Sequence, residues 1–341
     1  MKADDHIKAK ANPIPIARRS TKSSFPAKPS GRLRPLYGGE GQCRNVPDLP
    51  TFRQTTIQQS RIDFDLGVWL DFSVILPVRN AEQKIGRTLD SILGQAGSLQ
   101  TEVIVMDGMS TDRTVEVARG FQSDRVSVFS QPDTGIYDAL ANGLERVTGK
   151  VTCYMAAGDV FDTAAFGVVA DVFDTFPTIK WLTGRATTRN AKGQVVDSRL
   201  PHPFEKRFFQ NGAYGTRLFP LQQESTFWRS ELNGGVDLAK LRSLKLAGDF
   251  YLWRCFCEVA DLFVVNAQLG SFMVEEGQLS TQDPGAYEAE LRTLCERPTM
   301  TERLQMGLIK RRHRKRTSQP RSPRQVTWNF KKSQWTVDRF A

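Results

Sequence analysis

Between residues 72 and 159 the sequence repeats one pattern: a short apolar run, a polar turn and a helix-like segment. The runs FSVILPV, EVIVMD and VTCYMAA are followed by or end at Asn80, Asp107 and Asp159. Short apolar strands separated by helical segments are typical of βαβ units with a parallel sheet. Because ligands bind outside the carboxyl ends of such strands, Asp107 and Asp159 are candidate site residues.

The intervening segments have helical spacing. In the first, Ile85, Leu89, Ile92 and Leu93 fall on one face. We predict a second helix over 111–121 with Thr111 or Asp112 as its cap, a strand over 125–130, and a third helix over 136–147.

From residue 178 the pattern changes. IKWLTGRATTR and GQVVDS, separated by residues 190–192, predict an antiparallel hairpin. Residues 244–260 predict a turn and a helix, and 261–274 one strand or two strands broken at 266–267. The expected fold class is α/β: a Rossmann-like, mostly parallel half followed by a mixed half, in one domain of about 230 residues.

Charge divides the chain into three segments. Residues 1–66 carry 12 Lys/Arg and 6 Asp/Glu, and are rich in Pro and Ser, so we expect them to be disordered. Residues 297–341 carry 13 and 2, and are expected to form a basic C-terminal tail. The body, 67–296, carries 22 and 29 and is acidic, so the basic character belongs to the ends.

Composition restricts the class of protein. No run of about 18 apolar residues is present to span a membrane, and the N-terminus lacks the apolar region of a secretory signal. The five cysteines have no zinc-finger or redox spacing. We therefore expect a cytoplasmic protein with reduced thiols, free in solution or peripheral at the inner face of the membrane.

Several sequence blocks carry a resemblance to a known family. They are FSVILPVRN (72–80), VMDGMSTDRT (105–114), QPDTGIYDALANGLERVTGKVTCYMAAGD (131–159), and the later pair LQQESTFWRSEL (221–232) and LAGDFYLWRCF (246–256). Together they resemble the inverting family 2 glycosyltransferases of the A-type fold, in the variant found in surface-polysaccharide synthesis. The resemblance covers roughly 72–281 and implies transfer of a sugar from a nucleoside diphosphate donor, with an acceptor side built by the second half.

The resemblance assigns the donor site to residues in the turns after the strands. Asp107 can accept a proton from the nucleotide base, although it could instead cap the next helix through Ser110 and Thr111. The full set of donor-binding candidates is Pro77, Asn80, Asp107, Asp133, Asp138 and Gln223. For Asp138 a solvated helix carboxylate is the alternative.

Asp159 is the candidate ligand for a divalent metal, Mg²⁺ or Mn²⁺. Such an ion accepts hard oxygen ligands and offsets the negative charge of the leaving diphosphate. Many family members have Asp-x-Asp here, whereas this chain has Ala157–Gly158–Asp159 and lacks the first carboxylate. A cap for the following helix is the alternative role.

An inverting transfer requires a general base for the acceptor hydroxyl. By resemblance Asp249 is that base. Many relatives have His-Gln where this chain has Gln223–Glu224, and this departure makes Glu224 a rival candidate for the base. A helix N-cap before Phe250 is the alternative role for Asp249. The segment 275–281, with Gly277 and Ser280, resembles a loop that closes over the diphosphate.

The sequence thus predicts an inverting glycosyltransferase acting on a glycan or lipid-linked acceptor. Two alternatives remain open: a nucleotide-sugar-binding scaffold without activity, and a basic nucleic-acid-binding protein, which the acidic body disfavours. The run KRRHRKR (310–316) is suited to an anionic membrane, to nucleic acid or to solvent alone.

Overall fold

The computed structural model describes residues 72–95, 99–201, 204–274, 284–315 and 324–337. The predicted disordered segment, 1–66, lies outside these residues. The first half alternates strands and helices as expected: β1 (Phe72–Val78), α1 (Ile85–Leu93), β2 (Thr101–Asp107), α2 (Thr114–Gly120), β3 (Val126–Ser130), α3 (Ile136–Leu144) and β4 (Val151–Tyr154).

The helices of this half pack as their sequence predicts. In α1, Ile85, Leu89 and Ile92 are buried and Leu93 packs against the same core. Asp112 accepts a hydrogen bond from the backbone N–H of Thr114 at the start of α2 (3.0 Å). The N-cap position is Arg113, so the prediction of Thr111 or Asp112 as the cap is wrong by position, because α2 begins three residues later than expected.

The second half mixes short strands with helices. In chain order these are β5 (Val160–Phe161), α4 (Ala165–Thr175), β6 (Trp181–Thr183), β7 (Ala186–Arg189), β8 (Val195–Arg199), α5 (Lys206–Gln210), α6 (Ala213–Thr216), β9 (Thr226–Arg229), α7 (Leu238–Ser243), α8 (Gly248–Val259), β10 (Leu262–Val265), β11 (Gly270–Met273), α9 (Pro284–Thr293), α10 (Met300–Lys315), β12 (Gln325–Asn329) and β13 (Gln334–Val337). A short 3₁₀ helix, Gln223–Ser225, precedes β9.

A nine-stranded sheet runs in the order β13-β12-β10-β6-β9-β4-β1-β2-β3. Strands β4, β1, β2 and β3 are parallel, and β9 joins them antiparallel to β4. Beyond β9, β6, β10 and β12 are parallel to one another. The predicted fold class, a mostly parallel half and a mixed half, is confirmed.

A second sheet, in the order β5-β11-β7-β8, lies beside the first. The predicted hairpin is present between β7 and β8, which are antiparallel. Residues 181–183, which the prediction placed in the same hairpin, instead form β6 in the large sheet. The segment 261–274 forms two strands, and they belong to different sheets.

The C-terminal segment needs a correction. The sequence treated 297–341 as a basic tail, yet β12 pairs with β10 and β13 pairs with β12 at the edge of the large sheet. Val326 and Met306 are fully buried in the common core. The many Lys and Arg residues of 297–341 hid the alternating apolar positions of the two strands, Val326 and Trp328 on β12 and Trp335 and Val337 on β13.

Aromatic side chains fill the core between the sheet and α8. Trp181 stacks on Trp253 (centroids 5.9 Å apart), and Trp228 and Phe256 pack against Trp253. Trp228 also donates its indole N–H to Asn233 Oδ1 (2.7 Å). This cluster fixes α8, the helix that carries Asp249, against β6 and β9.

The C-terminal strands should contribute to global stability. Trp335 is buried and packs edge-on against Trp328, so Trp335→Ala should lower the free energy of unfolding by about 3 kcal/mol. Phe330→Ala, at an 87% exposed position between the two strands, is the control and should change it by less than about 0.5 kcal/mol. Urea denaturation measures both. Equal midpoints for Trp335→Ala and wild type would show that β12 and β13 are not part of the cooperative fold.

Candidate active site

The polar residues at the carboxyl ends of β1 and β2 are bonded to each other. Asn80 has a left-handed backbone (φ 50°), which asparagine tolerates, and its N–H donates to Ser110 Oγ (2.8 Å). The N–H of Thr111 donates to Asn80 Oδ1 (2.9 Å). Pro77 is buried within β1, opposite Met106, one position before the strand ends. Asn80 therefore shapes the two turns that form this edge of the site.

Asp107 ends β2 and is buried. Its carboxylate accepts the backbone N–H of Ser110 (3.2 Å), the hydroxyl of Ser110, and the hydroxyl of Ser130 at the end of β3 (2.6 Å). The alternative role considered from the sequence, a cap for the next helix, is wrong by position because α2 begins at Thr114, and Asp107 instead holds the turn through Ser110. Contact with a nucleotide base remains a prediction.

Two further carboxylates lie at the start of α3: Asp133 in the turn before the helix and Asp138 in its first turn. Asp133 Oδ1 accepts the N–H of Gly135 (3.0 Å), and a Cβ on Gly108 would lie 2.3 Å from Asp133 Oδ2. Burial raises the pKa of Asp133, and the charges of Asp138 and Asp107 raise it further. A side chain at position 108 would displace the Asp133 carboxylate, which packs directly over Gly108.

Asp138 has partners that explain it structurally. It accepts the N–H of Thr134 (2.9 Å) and lies 3.4 Å from Arg242 Nε in an ion pair. The solvated carboxylate that the sequence left as an alternative is therefore replaced by a paired one. These partners explain the position of Asp138 without a bound nucleotide sugar. Direct contact between Asp138 and the nucleotide sugar stays a prediction.

The turn after β4 is held by α1. Thr88 Oγ1 accepts the N–H of Gly158 (2.8 Å) and donates to the backbone carbonyl of Asp159 (2.8 Å). Arg87 Nε donates to the carbonyl of Gly158 (2.6 Å). Sequence reasoning missed both α1 residues, because a threonine and an arginine on a helix carry no distinctive signal. Their hydrogen bonds fix the direction of the Asp159 side chain.

Asp159 and Glu224 form a buried carboxyl pair. Asp159 Oδ1 accepts the N–H of Met273 at the end of β11 (2.7 Å), and Gln223 Nε2 donates to Glu224 Oε1 (2.7 Å). Burial and the neighbouring Glu224 carboxylate raise the pKa of Asp159 to about 9, and burial also raises the pKa of Glu224. Two carboxylates in contact within a buried site are costly to ionise together, so the pair shares a proton at neutral pH.

The backbone at Glu224 is fixed by its contact with β11. A Cβ on Gly270 would lie 1.8 Å from the carbonyl oxygen of Glu224, so only glycine permits this approach. Ser225 Oγ donates to the carbonyls of Gly270 (2.9 Å) and Arg185 (3.0 Å). Glu224 therefore reaches Asp159 from the second half of the chain on a rigid backbone.

Asp249 lies in the first turn of α8. The helix begins at Gly248, so the N-cap role considered for Asp249 is wrong by position. Its Oδ1 accepts the N–H of Phe250 (2.7 Å) and lies 3.4 Å from the Tyr137 hydroxyl, which also donates to the carbonyl of Leu246 (2.9 Å). Burial raises the pKa of Asp249 to about 6, and the charge of Glu224 adds to the shift.

Glu290 on α9 holds the chain before α8 and was missed by sequence reasoning. Its carboxylate accepts the backbone N–H groups of Lys245 (2.7 Å), Leu246 (2.6 Å) and Ala247 (2.7 Å). These donors precede a helix and would otherwise lack partners. Glu290 thus positions the turn that presents Asp249.

The structure therefore brings Asp159 and Glu224 together, and Asp249 lies near enough to Glu224 for that charge to raise the pKa of Asp249. Asp107 and Asp133 lie together at the other end of the edge. Within the described ranges no three His, Cys, Asp or Glu side chains gather as a metal cluster. The loop with Gly277 and Ser280 lies outside the described residues.

Comparison with known proteins shows which family the first half of the chain resembles. Residues 73–219 match the family described as Glycosyl transferase family 2. The chain is 33% identical over 91 residues to the "PGL/p-HBAD biosynthesis glycosyltransferase" of Mycobacterium tuberculosis, covering 26% of this chain and 35% of that protein. It is 31% identical over 139 residues to the "4,4'-diaponeurosporenoate glycosyltransferase" of Staphylococcus aureus, covering 40% and 33%. Residues 73–219 thus resemble a family 2 glycosyltransferase domain, and the chain spans about a third of the length of these relatives.

Solved structures give a weaker likeness. S. aureus TarS 1-349 in complex with UDP-GlcNAc has 17% identity and a TM-score of 0.49, covering 66% of this chain and 65% of that one. The mannosyltransferase PcManGT from Pyrobaculum calidifontis, in complex with GDP-Man and Mn²⁺, has 18% identity and a TM-score of 0.43, covering 60% and 57%.

Neutralising the carboxyl pair should stabilise the metal-free protein. Folding raises the pKa of Asp159 from 3.8 to about 9, so between these values the unfolded chain has lost a proton that the folded chain keeps. Stability from this group is therefore complete below about pH 4 and falls as pH rises toward 9. Asp159→Asn keeps the acceptor for the Met273 N–H and removes this pH dependence.

In chelator at pH 8, Asp159→Asn should raise Tm by several degrees, since about 1 kcal/mol corresponds to roughly 2–4 °C in a domain of this size. At pH 4 the difference should be small. Asp174→Asn, on the exposed face of α4, is the control and should leave Tm within about 2 °C. Calorimetry at both pH values measures this, and a lower Tm for Asp159→Asn at pH 8 would show that the pair is not strained by its charge.

Proposed function

We propose that this protein is an inverting glycosyltransferase that moves a sugar from a nucleoside diphosphate sugar to a hydroxyl acceptor, in polysaccharide or glycolipid synthesis. The observation that carries the proposal is the arrangement of three acidic groups at one edge of a family 2 domain. The Asp159–Glu224 pair is buried, and Asp249 next to it is partly exposed. The relatives' names, which refer to PGL/p-HBAD biosynthesis and 4,4'-diaponeurosporenoate, support the reaction class.

The buried pair fits a divalent cation. Mg²⁺ and Mn²⁺ bind through one or two carboxylates together with substrate phosphates, and two carboxyl groups that share a proton here have the hard oxygens required. Glu224 supplies the second carboxylate that Ala157 cannot provide. A bound ion would neutralise charge that develops on the leaving diphosphate.

Asp249 is proposed as the general base. A base is most effective when its pKa lies near the working pH, and burial raises the pKa of Asp249 to about 6. It is therefore ionised at pH 7.5 yet basic enough to accept the hydroxyl proton. As the acceptor oxygen attacks the anomeric carbon from the face opposite the diphosphate, Asp249 takes the proton and the configuration inverts. The Tyr137 hydroxyl beside it stabilises the ionised form.

Glu224 is less suited to be the base. It is buried, accepts a hydrogen bond from Gln223 and contacts Asp159, so its carboxylate oxygens face these two side chains rather than an open cleft. We assign Glu224 and Gln223 to the diphosphate end of the donor. Asp107, Asn80 and Asp133 are assigned to the nucleoside end, where they shape adjacent turns.

The function is tested by donor-dependent release of nucleoside diphosphate from purified protein, screened across uridine, guanosine and thymidine diphosphate sugars with Mn²⁺ or Mg²⁺. Release that requires donor and metal supports the proposal. Donor binding without release in the presence of a range of acceptors would favour the inactive scaffold instead. Activity unchanged by excess chelator would remove the metal from the proposal.

Asp249→Asn separates the base from the metal pair. The amide cannot accept the proton, so kcat should fall by about 10²–10⁴ while the metal concentration for half-maximal activity stays near wild type. The wild-type kcat should fall on the acid side of about pH 6, where Asp249 becomes protonated.

Glu224→Gln is the matched control for that experiment, because it is equally isosteric and also buried. It should raise the metal concentration required and recover part of its rate at saturating metal. If instead Glu224→Gln abolishes the rate at every metal concentration and Asp249→Asn is mild, Glu224 is the base and the assignment is wrong.

A further inference from the structure

Helix α10 has two apolar faces. Met306 on one face is buried and Ile309 packs against the core. On the opposite side Met300, Leu304 and Leu308 are 72%, 68% and 56% exposed. Their spacing of four residues places them in one line along the helix. One face therefore anchors α10 to the domain, and the other presents a continuous apolar stripe, defined here as Met300, Leu304 and Leu308.

The start of α10 is fixed, so the stripe has a set direction. Thr299 Oγ1 accepts the N–H of Glu302 (3.3 Å), and Glu302 Oε2 accepts the N–H of Thr299 (2.8 Å). This reciprocal pair is a capping box, which defines the first turn of a helix. With Met306 buried in the core, the helix cannot rotate to hide the stripe without losing packing.

Basic side chains border the stripe. Arg303 precedes Leu304 and is exposed, and Lys310 and Arg311 follow Leu308 within one turn and are exposed. Arg303 also lines a cavity of about 480 Å³ between α6, α9 and α10. Four arginines and two glutamates line this cavity: Arg217, Arg292, Arg297, Arg303, Glu288 and Glu296. The surface beside the stripe is therefore net positive.

We propose that the stripe of α10 and its basic border bind the surface of an anionic lipid bilayer. A helix that presents apolar residues beside Lys and Arg lies in the plane of the membrane interface, where apolar side chains enter the lipid and cations meet acidic headgroups. No helix in the described part of the chain is long and apolar enough to cross a membrane, so α10 lies on the bilayer and does not span it. The proposal goes beyond the transferase reaction and does not depend on it.

The net charge of residues 1–66 argues against this N-terminal segment as the partner that covers the stripe. Residues 1–66 carry 12 Lys/Arg against 6 Asp/Glu, so they do not complement a basic border. An acidic surface does, and phosphoglycerol headgroups provide one.

The test is co-sedimentation of the full-length protein with vesicles of phosphatidylcholine alone or with about 30% phosphatidylglycerol, at low and high salt. The variant Leu304→Gln/Leu308→Gln changes no charge, so it leaves electrostatic binding by the basic ends intact. It should lower the partition coefficient about 10-fold or more, with the largest loss at high salt. Arg303→Gln should lower it about fivefold at low salt and less at high salt.

Val196→Gln is the matched control. Val196 lies on β8, outside α10, and its exposed fraction of 58% is similar to the 56% of Leu308. It should bind vesicles as wild type does. Circular dichroism and Tm establish that each variant is folded; if the double variant is not, Leu304→Gln alone is used and should still lose several-fold.

Several results would overturn the proposal. Wild type could fail to bind anionic vesicles, or bind neutral vesicles equally well. The double variant could bind as tightly as wild type, which would assign binding to the basic ends alone. In sedimentation velocity, a wild-type dimer that becomes monomeric in the double variant, without vesicle binding, would make a second copy of the chain the partner.

Discussion

The contact between Asp159 and Glu224 joins the two halves of this domain. Asp159 follows β4 in the parallel half, and Glu224 reaches it from the 3₁₀ helix before β9, where a close approach to Gly270 fixes the backbone. The N–H of Met273 in the second sheet donates to the same Asp159 carboxylate. Two buried carboxyl groups in contact oppose folding when both are ionised, so packing by α1, β9 and β11 must offset that cost. Such a cost at a cleft edge is typical of a functional site.

Around this pair the structure places the acidic side chains in different environments. The pair is buried and shares a proton, whereas Asp249, in the first turn of α8, is partly exposed and has a pKa of about 6. The turns after β1, β2 and β3 are bonded among themselves through Asn80, Ser110 and Asp107. Carboxylates whose surroundings drive their pKa values apart can perform different chemical roles in one site.

Most of the parallel half could be predicted from sequence. Periodicity fixed β1, the buried face of α1 and the carboxyl ends that carry Asp107 and Asp159, because each depends on residues close in the chain. What failed depends on distant contacts. No local pattern indicates that Glu224 contacts Asp159, that Glu290 binds the turn before α8, or that residues 325–337 add two strands to the sheet. The basic composition of 297–341 concealed those strands, since the strands are short and the Lys and Arg residues before and between them dominate the segment.

The measurement that tests the central claim most directly is a double-mutant cycle on Mn²⁺ affinity, in the presence of a nucleoside diphosphate. Wild type, Asp159→Asn, Glu224→Gln and the double variant would be compared by equilibrium dialysis. If both carboxylates hold one ion, each single variant should lose nearly as much affinity as the double variant, so the effects are far from additive. Loss in Asp159→Asn with wild-type affinity in Glu224→Gln, or full additivity, would contradict a shared metal site.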